Sequence, residues 1–222
     1  MDVNYCRLKV IKFKDPNGNH MHGFLLIGKN HTHEFYASSE EEAKDWIRCL
    51  KRYVTLLDLK EQICIQNILG KGNSSKVHQC YRKSDPKQLF ALKTINKTHI
   101  MQSNHSKTSL LKEIEIMRIM SRKTPNVIEL HEVYESSKYL HLLLPLLEGG
   151  ELFKQIKKHG LYQESDAISI MQNFLSALAS LHDNLVVHRD LKPENLILAQ
   201  KNGKKQLYVC DFGLATRITD PK

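Results

Sequence analysis

The chain has no run of apolar residues long enough to span a membrane; its densest stretch, Leu140 to Leu147, is short and contains Pro145. No basic segment followed by an apolar one opens it, so no secretory leader is expected. Its five cysteines (Cys6, Cys49, Cys64, Cys80, Cys210) are odd in number and scattered, with no Cys-x-x-Cys pair. That pattern argues against a disulfide frame or a zinc ribbon and fits reduced thiols in the cytoplasm. No basic stripe is interleaved with aromatics, so the net charge of +9 does not read as nucleic-acid binding. Anionic lipid or a nucleotide polyphosphate would satisfy it equally. Internal repeats and low-complexity tracts are absent as well.

The 222 residues suffice for one large domain or two small ones with a real apolar core. The chain changes character near residue 58. Before it, Leu8–Phe13, Phe24–Ile27 and Glu34–Ala37 read as short strands, separated by turns at Asp15-Pro16-Asn17-Gly18 and Gly28-Lys29-Asn30. Ser39 followed by Glu42 has the form of a capping box. The helix it starts carries Ala43, Trp46, Ile47, Leu50 and Val54 on one apolar stripe. The histidine pairs His20/His22 and His31/His33 lack a nearby cysteine or carboxylate cluster, so they read as polar surface rather than zinc ligands.

Beyond residue 62 the order is strands, a helix, strands, then more helix, which makes the class α+β. Ile63–Leu69 reads as a strand, and Gly70-Lys71-Gly72-Asn73-Ser74-Ser75 leads into a second strand bearing Val77. A third strand alternates Leu89, Ala91, Lys93 and Ile95 on one face. Helices are expected over 107–121 and over Glu164–Asp183, the latter with Ile168, Met171, Phe174, Leu175, Leu178 and Leu181 on its stripe. Near the end, Leu196–Ala199 and Leu207–Cys210 flank Asn202-Gly203, a strong hairpin signal because both residues tolerate positive φ. Folding about Gly203 sets Asn195 opposite Asp211. An amide oxygen and a carboxylate side by side, near Asp190, form a hard-oxygen site suited to Mg²⁺ held with phosphates.

Two further features suit phosphate chemistry. Glycines in a turn between strands let backbone N–H groups approach a polyphosphate without Cβ collisions. Lys93 lies on a face with Leu89, Ala91 and Ile95, so its ammonium either snorkels to water or meets anionic partners. On the helix over 107–121, the stripe of Leu110, Ile114, Met117 and Met120 runs beside Glu113, while Glu115 points roughly opposite at ~100° per residue. Glu113 is therefore the carboxylate placed for a buried role, and Glu115 the solvated one.

His188-Arg189-Asp190-Leu191-Lys192-Pro193-Glu194-Asn195 with Asp211-Phe212-Gly213 closely resembles the catalytic and metal-binding loops of eukaryotic protein kinases. The resemblance covers about Ile63 to Asp211. It implies a bilobal fold that binds ATP and Mg²⁺ and phosphorylates a protein serine or threonine. Lys-Pro-Glu between Asp190 and Asn195 is the serine/threonine form, and Glu148–Phe153 is similar to the calcium/calmodulin-dependent group. By this likeness Asp190 orients the substrate hydroxyl and accepts its proton, and Lys192 neutralises charge on the γ-phosphate. Asn195 and Asp211 hold the metal. Lys93 meets the α- and β-phosphates and pairs with Glu113. The loop Gly70, Lys71, Gly72, Asn73, Ser74, Ser75 covers the phosphates, with Ser75 where the third glycine of the family loop stands. Leu144 is the gatekeeper, the Pro145 C=O and Leu147 backbone read adenine, and Val77, Ala91 and Ile197 sandwich it. Glu151 meets ribose or a basic substrate side chain. His188 becomes a core histidine beneath Phe212, Arg189 pairs with a phosphorylated activation segment, and Cys210 is a small apolar filler.

Phe24–Tyr53, strands closed by a helix with a central Trp, resembles the latter half of a pleckstrin-homology domain. The strands whose loop supplies phosphoinositide-binding lysines have no counterpart here, so lipid binding is not carried over and a partial barrel acting as a packing surface is expected. A phosphoinositide membrane or protein partner for this region, with a peripheral membrane location, is the alternative. The expected organisation is a partial pleckstrin-homology-like domain over 1–57 and a kinase domain over 63–222, its N-lobe 63–147 and incomplete C-lobe 148–222. Nine residues follow Gly213. The chain is thus expected to be a fragment with an exposed apolar face. The alternative function is a catalytically incompetent module that binds nucleotide or docks to a protein or membrane.

Overall fold

A computed structural model describes residues 3–14, 18–72, 75–98, 104–121, 124–160, 163–201 and 204–218. The expected turn at Asp15-Pro16-Asn17, loop residues Asn73 and Ser74, and the Asn202-Gly203 turn lie outside them. The described strands and helices form two compact units, residues 1–97 with 131–144, and residues 98–130 with 145–222. The units do not follow the compositional boundary near residue 58.

The first unit is built on one nine-stranded sheet. Its strands are β1 (Arg7–Lys14), β2 (His20–Ile27), β3 (Thr32–Ala37), β4 (Thr55–Leu56), β5 (Ile63–Lys71), β6 (Ser75–Arg82), β7 (Asp85–Asn96), β8 (Glu132–Glu135) and β9 (Tyr139–Pro145). Their order is β3-β2-β1-β4-β8-β9-β7-β6-β5. The short β4 is the join: Leu8 pairs with Leu56 on one side and Leu56 with Tyr134 on the other, both in parallel. Strands from both sides of residue 58 therefore share one ladder.

They share one core too. Cys6, Leu8, Phe24, Leu26, Val54 and Leu56 pack in a single cluster with Ile63, Cys80, Phe90, Leu92, Tyr134 and Leu143. On β7 the alternation turns Phe90 and Leu92 into that cluster and leaves Ala91 and Lys93 half-buried on the opposite face. On β9, inside the sheet, Leu140 to Leu144 are all buried, the continuous run of a strand covered on both faces.

Helix α1 (Glu40–Leu50) starts where the capping pattern expects, with Ser39 Oγ accepting from the Glu42 N–H at 3.1 Å. The returning Glu42 carboxylate binds Ser38 N and Oγ, at 2.8 and 2.6 Å, one residue before the cap. Ala43 and Val54 are buried and Ile47 and Leu50 pack against the core. Trp46 departs from the expected stripe: it is 55% exposed, because the core contacts are made by its neighbours one turn away. A short helix α2 (Leu59–Gln62) leads into β5.

An ion cluster fastens α1 to the middle of the sheet. Glu132 on β8 is buried and accepts from Lys51 at 2.6 Å, Arg82 at 2.9 Å and Tyr134 Oη at 2.6 Å. Burial opposes the charge on Glu132, yet Arg82 and Lys51 outweigh it and hold the carboxyl below its usual pKa. Burial, and after it the Glu132 charge, raises the pKa of the Tyr134 phenol.

The second unit contains helices α3 (Asn104–Met120), α4 (Leu152–His159) and α5 (Glu164–Asp183) with strands β10 (Gly150–Glu151), β11 (Val186–Val187), β12 (Leu196–Lys201), β13 (Lys204–Val209) and β14 (Thr216–Arg217). Helix α3 belongs here rather than with the strands before it. Ser109 Oγ donates to Gly213 O at 3.2 Å, and the following Ile128 N–H donates to Val209 O at 3.0 Å. Helix α5 lies against β13 through a face that buries Ala177 and Leu181. Ile168, Met171 and Leu175, expected on its buried stripe, are each about half exposed, since they stand on the flank turned away from the hairpin.

Candidate active site

The segment after β11 is shaped by a buried histidine. His188 packs edge-on against Phe212 with ring centroids 5.0 Å apart. Its Nε2 lies 3.0 Å from Cys210 O, and its Nδ1 accepts the Asp190 N–H at 3.3 Å. One ring thus ties the Asp190 loop to the residues leading into Asp211-Phe212-Gly213. Burial lowers its pKa and keeps it neutral, as its acceptor role toward Asp190 requires. Between these anchors Arg189 adopts φ 64°, a conformation rare outside glycine, and its Nε donates to Leu214 O at 2.7 Å.

Asp190 is held from two sides. Lys192 Nζ sits 2.9 Å from Oδ2 and 3.1 Å from Oδ1. The Asn195 amide donates to Asp190 O at 2.8 Å and to Oδ2 at 2.9 Å. The Lys192 contact, then Asn195, keeps the Asp190 carboxyl below its ordinary pKa, and Asp190 in turn raises that of Lys192. Asn195 gets its place from a 3₁₀ turn, Pro193–Asn195, opened by a proline whose fixed φ suits the first helical position. With Nδ2 committed to Asp190, Asn195 presents its Oδ1 as an acceptor.

The hairpin corrects the expected register by one residue. Lys201 pairs with Lys204, so the connection is two residues long and its centre falls between Asn202 and Gly203. Leu196 then faces Val209, and Cys210 N–H donates to Asn195 O at 2.8 Å. Asp211 lies one step past the end of the ladder, with φ 62°. Folding about Gly203 misplaces it by one residue, because the ladder pairs Lys201 with Lys204.

Glu113 is 5% exposed while Glu115 is exposed, the division expected from helical geometry. A Cβ built on Gly213 would lie 3.5 Å from Asp211 Oδ1 and 3.8 Å from Glu113 Oε2. Both carboxylates thus flank the glycine of Asp211-Phe212-Gly213. Ser109, which binds that glycine's carbonyl, escapes sequence reasoning because a serine beside a helix stripe has no signal of its own.

Pro145 and Leu147 are half-buried, and the chain then reaches β12. Gly150 pairs with Leu198 and Glu151 with Ile197, so two of the expected nucleotide-contacting residues are neighbours on one ladder. Gly149 permits the approach: a Cβ there would lie 2.4 Å from Leu198 O. Glu151 itself pairs with Lys154 at 2.7 Å.

In the first unit Gly70, Val77 and Lys93 stand level across β5, β6 and β7, and Gln79 pairs with Ala91. Val77, Ala91 and Lys93 therefore share one face, opposite Phe90 and Leu92. Gly70 and Lys71 belong to the ladder rather than to a loop, and the Gly72 N–H is taken by Ser75 O at 2.8 Å. Leu144 is buried at the end of the unit. Among the described residues no group of three or more His, Cys, Asp or Glu could hold a metal.

Residues 64–222 match the protein kinase domain model, and residues 2–55 match the PH domain model. The chain is 36% identical over 157 residues to a calcium/calmodulin-dependent protein kinase type 1 of Caenorhabditis briggsae, covering 71% of this chain and 43% of that protein. It is 38% identical over 163 residues to the probable serine/threonine-protein kinase fhkD of Dictyostelium discoideum, covering 72% and 21%. A probable myosin light chain kinase of the same organism is 40% identical over 162 residues, with 73% and 49% covered. The chain thus spans less than half the length of each of these relatives.

Proposed function

The chain belongs to the protein kinase family, and we propose that it binds ATP with Mg²⁺ and transfers the γ-phosphate to a serine or threonine hydroxyl of a protein. The observation that carries this reading is the anchoring of Asp190 by Lys192 and Asn195 above a buried, neutral His188. An ionised carboxylate at a fixed position can orient a hydroxyl and accept its proton. Lys192 leaves Asp190 for the more highly charged γ-phosphate when one is present. Lys93, Val77, Ala91, Gly70 and Gly72 are assigned to the nucleotide, as are Pro145, Leu147, Glu151 and Ile197.

Asn195 Oδ1 and the Asp211 carboxylate would hold Mg²⁺, and the hard-oxygen chemistry of that pair fits the ion. Bound there, the metal neutralises charge on the phosphates. A cytoplasmic location is part of the same proposal; it rests on the odd, scattered cysteines of the sequence.

A second reading is a module that binds nucleotide or a docking partner without catalysis. Transfer of labelled γ-phosphate to a serine/threonine peptide library, beside binding of a fluorescent ATP analogue, separates the two. We expect Asp211→Asn to lower transfer by about 10²-fold or more. Equal rates for wild type and Asp211→Asn with nucleotide still bound would leave the module. Absence of Mg²⁺-dependent nucleotide binding would remove the kinase reading and leave only a docking module.

A further inference from the structure

The three N-terminal strands carry apolar residues on both faces. One face joins the shared core through Leu8, Phe24 and Leu26. The register places the other side chains in cross-strand rows: Arg7, Ile27 and Thr32; Lys9, Leu25 and Glu34; Ile11, Gly23 and Tyr36; Phe13 and Met21. Phe13 and Tyr36 are 41% and 50% exposed and meet edge-on with centroids 5.4 Å apart. Gly23 between them is tightly fitted, since a Cβ would lie 2.2 Å from Phe35 O and 3.1 Å from Tyr36 Cδ1. An antiparallel sheet commonly keeps one face wet and polar. Here that face is an apolar strip with aromatics at one end.

Its charges are arranged in a way that selects an occupant. Lys9 stands at the β1 side of the Leu25 row and Glu34 at the β3 side of the same row. Among the described residues Lys9 makes no ion pair and Glu34 accepts from Tyr36 Oη alone, so neither charge meets an opposite one there. A two-fold axis lying in the interface and running along β2 maps β1 onto β3 of a second copy and leaves each row at its own level. Lys9 then faces Glu34 of the other copy, Leu25 meets its own equivalent, and Ile11 meets Tyr36. The operation closes, as an isologous interface must. It also sends β4 and the strands beyond it in the sheet to opposite sides in the two copies.

We propose that this face is a self-complementary interface through which two copies of the chain pair, sheet against sheet, with Lys9 and Glu34 as reciprocal ion pairs flanking an apolar centre. The net charge of +9 opposes association, so the pairing is expected at salt near 0.15 M, where long-range repulsion is screened within ~8 Å. The proposal is independent of catalysis.

Sedimentation velocity of the full chain over a range of concentrations tests it, with circular dichroism as a check on folding. Both substituted positions are exposed, so the variants keep the core intact. Wild type is expected to dimerise, and Lys9→Glu and Glu34→Lys alone each to weaken dimerisation by about tenfold or more, because each removes two attractions and creates two repulsions. The double exchange is expected to restore it. Single variants that weaken pairing without rescue by the double exchange would overturn the proposed register. A wild type that stays monomeric overturns the proposal. If that monomer cosediments with phosphatidylserine-containing vesicles, the face belongs to lipid instead.

Discussion

His141 on β9 is buried with its Nδ1 3.0 Å from Thr94 Oγ1 and its Nε2 3.4 Å from Ser136 Oγ. Burial, with His78 nearby, moves its pKa from 6.5 down to about 4. As pH falls through 6.5 the unfolded chain protonates this ring while the folded chain does not, so the unfolded state binds more protons and stability declines until about pH 4. At 1.36 kcal/mol per pKa unit this loss approaches about 3 kcal/mol. His141→Gln, which keeps hydrogen bonds to Thr94 or Ser136 but cannot titrate, should show a shallower decline in urea midpoint between pH 7 and 4.5. An identical decline would assign the effect to other groups. His141 went unnoticed in the sequence because a lone histidine in an apolar run has no pattern. The proximity of His188, Asp190 and Asn195 is what the resemblance to the kinase loops implies, and the burial of Glu113 was legible from helical angle. What spacing could not supply was the bonding between them, such as the Asn195 amide on Asp190.

In the first 57 residues the strand ends and the helix start were readable, because apolar runs end at turn-forming clusters and Ser39 caps the helix. Two strands, however, begin at His20 and Thr32, ahead of the expected Phe24 and Glu34, where alternation with polar residues hides the start, and the helix stops at Leu50, before Val54. Trp46 was misplaced, since periodicity says which residues share a stripe but not how wide a strip the partner covers. The same limit applies to α5, whose Ile168, Met171 and Leu175 continue the stripe beyond what β13 reaches. Ladder register is set by turn length, which explains the one-residue error at Asn195. The β10–β12 ladder had no sequence signal beyond Gly149. Because a Cβ at this position would collide with the Leu198 backbone, Gly149→Ala should cost about 1–3 kcal/mol. It should also separate Glu151 from Ile197. Thermal unfolding and amide exchange at Ile197 and Leu198 would register both effects, and unchanged protection there would show that the ladder tolerates the methyl.

The compositional break at residue 58 coincides with the limits of the two family matches, 2–55 and 64–222, but not with a limit of packing. Composition records sequence ancestry, whereas packing follows wherever apolar faces meet. Phe90 and Leu92, on the strand of Lys93, are buried in the same cluster as Leu8 and Leu56. Removing residues 1–57 should therefore yield an aggregating or molten product rather than a stable kinase fragment. The milder Leu56→Ala should cost about 2–5 kcal/mol, as other core truncations do. Chemical denaturation of the point variant and solubility of the deletion are the measurements. A deletion that unfolds cooperatively at the wild-type midpoint would show the N-terminal strands to be dispensable.

The two-residue β4 also fixes an order of events during translation. Thr55 and Leu56 find their second neighbours at Val133 and Tyr134, 78 residues downstream. Synthesis emits the earlier strands first, so Leu8 and Leu56 emerge from the ribosome long before the surfaces that cover them exist. For that interval the nascent chain carries an unfinished hydrophobic seam, a natural client for chaperones that bind exposed apolar segments.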